Sequence, residues 1–155
     1  MALKDWNDLP SESRFWCFSA AEPWVAEQDS LIHEHLTALC ETWAAHGTPI
    51  QAGYTTIERR LIALAVDEHH HAASGCSIDS RMKALTALSD ALGIDLFGRM
   101  HLYIRSSSSD AWSLTSLGAA RKAEGFFLNT VASCKGDWES ILAIEGSWLQ
   151  PAKRA

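Results

Sequence analysis

Residues Ile50 to Glu68 read IQAGYTTIERRLIALAVDE, and this stretch decides the fold. Ile50 to Ile57 alternates loosely and carries Tyr54, Thr55 and Thr56, residue types that suit a strand. Glu58-Arg59 makes a short turn. Leu61 to Val66 is a continuous apolar run. Its length and the tight turn before it predict a buried central strand rather than a helix. The two strands form a hairpin.

Upstream, Ser13 to Ala20 is rich in aromatics and predicts a first strand, interrupted by Glu22-Pro23. From Asp29 to His46, Ile32, Leu36, Leu39 and Trp43 fall on one helix face. Asp29 or Ser30 can cap its start, Gly47 can end it, and Pro49 prevents continuation. Downstream, Asp67 to Cys76 is expected as a loop. A second helix follows, with Ser77 or Asp79 near its start. Met82, Leu85, Leu88 or Ser89, and Leu92 mark its buried face, and Gly93 closes it. Met100 to Arg105 alternates, with Met100, Leu102 and Ile104 on one face. His101, Tyr103 and Arg105 then form a wet or ligand-facing side.

The order β-α-β-β-α-β is that of a ferredoxin-like split unit. The expected class is therefore α+β: a ferredoxin-like βαββαβ antiparallel sheet with helices on one face, plus a C-terminal extension. Both crossovers would be right-handed. A short helix is expected at Thr115 to Ala123, and a fifth strand at Phe126 to Ala132. Trp138 and Trp148 would anchor the tail. One domain, 1–155, is expected, with its core at about 12–106 and an elaboration at 107–155.

Bulk properties agree with a globular chain. A domain of roughly 150 residues buries about 70% of its unfolded surface. Hydrophobic residues make up 47% and charged residues 21%, both ordinary values. The formal net charge is −6, which argues against nucleic acid as a partner. Basic residues cluster only as the pairs Arg59-Arg60, Arg121-Lys122 and Lys153-Arg154, which argues against an anionic membrane surface. Met1 to Pro10 lacks an apolar leader core, and no apolar stretch approaches the ~20 residues of a membrane span. A cytoplasmic location is expected. Cys17, Cys40, Cys76 and Cys134 are widely spaced and are expected as free thiols. Seven tryptophans is high for this length. Trp43 lies on a core stripe, whereas Trp16 could line a sheet face used for ligand or partner contact.

The most distinctive residues join the buried strand to the second helix: Val66-Asp67-Glu68, then Ser74-Gly75-Cys76-Ser77-Ile78-Asp79-Ser80. With Arg14 to Phe18, Trp43 to Gly47, Arg60 to Glu68, Phe127 to Val131, Trp138 and Ser147-Trp148-Leu149, they resemble an uncharacterised bacterial family of Bacteroidetes type. Its hallmark is a VDE…SGCSIDS pattern, and some members are automatically labelled as ABC-transporter ATPases. The resemblance implies a shared fold and a shared special site, and no activity. The chain has no GxxxxGK(S/T) loop to cradle phosphates. It also carries His69-His70-His71, which the family pattern lacks.

Physical chemistry gives the site two functional readings. Gly75 permits close backbone approach, and a helix start offers unpaired N–H groups and positive dipole. Ser74, Ser77 and Ser80 add hydroxyls, Asp79 lies beside them, and Arg60 could supply a guanidinium. Together these suggest capture of a small anion or polar ligand. Alternatively Cys76 is an activated nucleophile or redox thiol, with one of His69 to His71 as base. Asp67 could pair with Asp79 for acid–base work, or simply fix the loop. Glu68, His69, His70 and His71 are weak metal candidates, and no metal or cofactor is expected. A purely structural helix start competes with both. The resulting expectation is a small binding or regulatory domain, with a thiol enzyme or redox protein and a homodimeric interaction module as alternatives.

Overall fold

Leu61 to Val66 are six successive buried residues, so this segment requires cover on both faces. The computed structural model describes residues 2–45, 47–69 and 72–151 and shows how that cover is built. The elements are β1 (Arg14–Ser19), α1 (Asp29–Glu41), β2 (Ala44–Ala45), β3 (Thr48–Pro49), β4 (Gln51–Ile57), β5 (Leu61–Asp67) and α2 (Gly75–Leu92). They continue as β6 (His101–Arg105), β7 (Ser113–Ser116), the one-turn α3 (Leu117–Ala120), β8 (Phe126–Leu128) and β9 (Ile141–Ala143). The class is α+β.

β5 is the centre of a three-stranded antiparallel sheet of order β1-β5-β4. Its partners run from Arg14 opposite Val66 to Ser19 opposite Leu61, and from Gln51 opposite Asp67 to Ile57 opposite Leu61. Ile62, Leu64 and Val66 point to one side. There they meet Ile32, Leu36 and Leu39 of α1 and Leu85, Leu88 and Leu92 of α2. Each such side chain contributes about 1.5–3 kcal/mol on burial. Leu61 points the other way, onto Tyr103, Trp112 and Leu128.

That second contact corrects the ferredoxin-like expectation. The first three strands take the expected order, but β6 does not add to β1. It pairs instead with β7 and β8 in a four-stranded antiparallel sheet of order β7-β6-β8-β9. The side of β6 expected to be wet is so only at its start: His101 is exposed and Arg105 is half-buried. Tyr103 is buried at 2% exposure, and its hydroxyl donates to Ala20 O at 2.6 Å. The opposite face, with Leu102 and Phe127, is closed by Ala120 of α3 and by Ile144 and Leu149 of the tail. Four layers result: helices, sheet, sheet, tail. Both faces of the β1-β5-β4 sheet carry apolar cover among the described residues.

Local differences have local causes. α1 stops at Glu41 rather than His46, which lies outside the described residues. The Thr42 hydroxyl donates to Ala38 O at 2.8 Å, and the chain then forms the β2–β3 hairpin. Asp29 does not cap α1. Its carboxylate takes the Trp24 indole N–H at 3.0 Å and the Arg59 fork at 2.8–3.2 Å. That anchor supports the turn at Glu58 and Arg59, whose φ values are 56° and 50°. Left-handed backbone at such residues costs about 1–2 kcal/mol each. Gly93 closes α2 with φ 68°, as its position predicts. The expected Thr115 to Ala123 helix is replaced by β7 followed by α3, whose cap is the Ser116 hydroxyl.

The expected Phe126 to Ala132 strand ends early, at Leu128: the N–H of buried Asn129 still donates to Ser140 O, but its carbonyl is taken by a side chain. Its amide donates to Val131 O and Glu139 O, and its side-chain oxygen accepts from Val131 N and the Trp148 indole. Its own carbonyl accepts from the Trp138 indole at 2.8 Å. The C-terminal residues singled out by the resemblance thus meet at one amide. Asn129→Ala orphans several of these groups and is expected to cost about 2–4 kcal/mol in urea unfolding, at 1–3 kcal/mol per unsatisfied group.

Candidate functional site

The carboxylates at the end of β5 shape the loop that leads to α2. Asp67 accepts the His69 N–H at 2.9 Å, the loop-fixing role open to it from sequence. Glu68 accepts the Ala73 N–H at 2.6 Å and lies 3.8 Å from the Arg14 guanidinium. Both acids are thus engaged by the loop. No hydrogen bond joins Asp67 to Asp79, which is exposed beyond the first turn of α2. His70 and His71 lie outside the described residues. Among the described residues no group of three His, Cys, Asp or Glu side chains is arranged to hold a metal ion.

α2 starts earlier than either start expected from sequence. Ser74 is the cap: its hydroxyl accepts the Ser77 N–H at 3.1 Å, and the Ser77 hydroxyl returns to Ser74 O at 2.9 Å. Gly75 and Cys76 are therefore the first two helical residues, whose N–H groups the helical ladder does not use. Both are exposed. No acidic side chain occupies that first turn. Beside it lies a hollow of about 280 Å³, lined by Ser74, Cys76, Ser77, Ser80 and Arg81, with Thr42 from the end of α1.

Arg81 is the residue that sequence reasoning missed. It follows the heptapeptide directly, and long helical side chains lean toward the N-terminus, so it returns to the side of Ser74 and Ser77. One guanidinium nitrogen donates to Leu39 O at 2.9 Å and to the Thr42 hydroxyl at 2.7 Å. It thereby closes the C-terminal end of α1. Its Nε is buried without a partner. Burial holds the guanidinium below its ordinary range, and no carboxylate compensates it. A half-buried cation beside a helix N-terminus concentrates positive potential in one hollow.

Arg60, by contrast, belongs elsewhere. It stands before the opposite end of β5 from Asp67, about 20 Å away at 3.3 Å per residue. Its guanidinium donates to Glu58 O and lies 5.3 Å above the Tyr103 ring. Arg14 is likewise committed to Glu68 and to the Trp16 ring. The structure thus brings together Ser74, Cys76, Ser77 and Ser80, and replaces Arg60 by Arg81.

Comparison of the chain with known family models, with curated proteins and with solved structures finds no match. Among the described residues no helix is long and apolar enough to cross a membrane.

The cysteines separate by environment. Cys76 is exposed, whereas burial pushes the Cys17 and Cys40 thiols from 9.0 up to about 12. A thiol reagent at pH 8 is expected to modify Cys76 ahead of Cys17 and Cys40, and Cys76→Ser should remove the fast phase. The raised folded-state values also link stability to pH. Above about 9 the unfolded chain releases these protons while the folded chain holds them, so stability falls as pH rises. Replacing Cys17 and Cys40 by alanine is expected to reduce the loss between pH 8 and 10 in denaturant titrations.

Proposed function

We propose that the protein is a small binding or regulatory domain of the cytoplasm that captures a compact anionic or polar ligand at the start of α2. The observation that carries this reading is Arg81: a half-buried guanidinium, without an acid partner among the described residues, facing the same hollow as the Ser74 cap and the Ser80 hydroxyl. Such a cation is costly unless an anion approaches it. The helix N-terminus adds peptide N–H donors in the same direction. Oxyanions match both the guanidinium fork and the hydroxyls.

The same reading takes the chain as kin to the VDE…SGCSIDS family. It also takes β1-α1-β4-β5-α2 as a ferredoxin-like unit whose last strand has joined a second sheet. The strand order β1-β5-β4 supports that relation. The thiol-enzyme alternative rests on the exposure of Cys76 in this hollow. Among the described residues none hydrogen-bonds its sulfur, and His70 and His71 lie outside them.

Inorganic phosphate tests the proposal directly. It is expected to raise the unfolding temperature of the wild type by an amount that grows with the logarithm of its concentration, a stabilisation of about 2.7 kcal/mol at a hundredfold excess over Kd. Arg81→Met should abolish the phosphate-dependent part of the rise, and Cys76→Ser should keep it. An equal rise in Arg81→Met, or none in the wild type, defeats the reading.

A further inference from the structure

A second hollow lies at the free edge of β1, remote in character from the first. Its volume is about 390 Å³, within the roughly 300–1,000 Å³ that small-molecule sites occupy. Trp16, Phe18, Leu96, Phe97, Leu102 and Trp148 form most of its apolar wall. These walls are held in place by packing. Trp16 lies 5.6 Å from Trp43, Phe18 meets Phe97 edge-on at 5.9 Å, and Trp148 meets Phe127 at 5.6 Å. The Trp148 indole is fixed further by its bond to Asn129.

The floor is polar for a topological reason. β1 is an edge strand, so alternate peptide groups face away from β5. At one end this edge is closed by Lys135 N–H on Ser13 O, at the other by Ala21 N–H on Asp95 O. Cys17 and Ser19 lie between those closures, at the same two-residue period, and line the hollow.

Charge selects the ligand. The lining includes Arg99 and His101 and no acidic residue. Both are exposed, and neither side chain makes a hydrogen bond or ion pair with a described residue. The nearest acid in the chain segment, Asp95, faces an adjoining hollow and accepts the Phe97 N–H. A guanidinium with no carboxylate on the rim of an aromatic hollow stands out in a chain of net charge −6.

We infer that this groove binds a small apolar carboxylate, with its aliphatic or aromatic body against Trp16, Phe97 and Trp148 and its carboxylate on Arg99. Apolar contact supplies affinity, and the guanidinium fork fixes orientation. The site is separate from the one at α2, and neither depends on the other.

Calorimetric titration with decanoate, below its micelle concentration, tests the inference. Decanoate is expected to bind saturably, with decanol and acetate each at least tenfold weaker. Arg99→Ala should weaken decanoate about tenfold, the worth of one charge-assisted bond. Val131→Glu places a like charge at an exposed position of the same groove and should weaken it as well. Arg81→Met should leave decanoate binding unchanged, which separates this site from the phosphate site. Absence of saturable binding, decanol as tight as decanoate, or an unaffected Arg99→Ala variant overturns the inference.

Discussion

Burial of β5 on both faces is the constraint from which the rest of the architecture follows. A strand with six consecutive buried residues cannot sit in a sheet with a solvated side. α1 and α2 cover one face through two helical stripes. The other face needs a second apolar layer, and β6 to β9 provide it. That second sheet then has an outer face of its own, with Leu102 and Phe127, and α3 and the tail must close it. Each layer creates the need for the next until the remaining surface is polar enough to meet water. Asn129 sits at the end of this sequence: its main-chain carbonyl takes the Trp138 indole N–H, and its side-chain amide takes the Trp148 indole N–H and donates to Glu139 O.

Much of this is local and was legible before any coordinates. The apolar run of β5, the stripe of Ile32, Leu36 and Leu39, and the Gly93 stop are encoded within a few residues each. The destination of β6 is not. Its alternation is visible, but alternation does not say which sheet a strand joins or what covers its second face. Tyr103 looked like a wet residue because a tyrosine tolerates water. Its partner, Ala20 O, is 83 residues away in sequence. The end of α1 was misplaced for a similar reason. Gly47 and Pro49 are strong stop signals, but Thr42 turned the chain before they were reached.

The candidate site divides along the same line. Ser74, Ser77 and Ser80 are one helix start, and cap chemistry is local, so the sequence points to them. Arg81 was overlooked because its meaning comes from Leu39 O and Thr42, 42 and 39 residues earlier. Arg60 offers a guanidinium in the sequence, but its position just before β5 sets it apart from the helix start. A strand separates its ends by its full length, and that alone excludes Arg60.

The arginines show why two different ligand classes are proposed for one acidic chain. Arg59 and Arg14 are matched by Asp29 and Glu68. Arg60 and Arg105 lie over the Tyr103 and Trp112 rings, which satisfy a guanidinium face without an anion. Arg81 and Arg99 have neither arrangement among the described residues. Their surroundings then decide what each can attract. Around Arg81 the neighbours are hydroxyls and peptide N–H groups, which reward a compact ion that can spend every oxygen on a donor. Around Arg99 they are indole and phenyl rings, which offer nothing to the remaining oxygens of such an ion and much to a hydrocarbon. A phosphate at Arg99 would keep most of its hydration, and a fatty chain at Arg81 would have no apolar wall to lie on. The same cation, placed in two surroundings, therefore discriminates by what lies beside it rather than by its own charge.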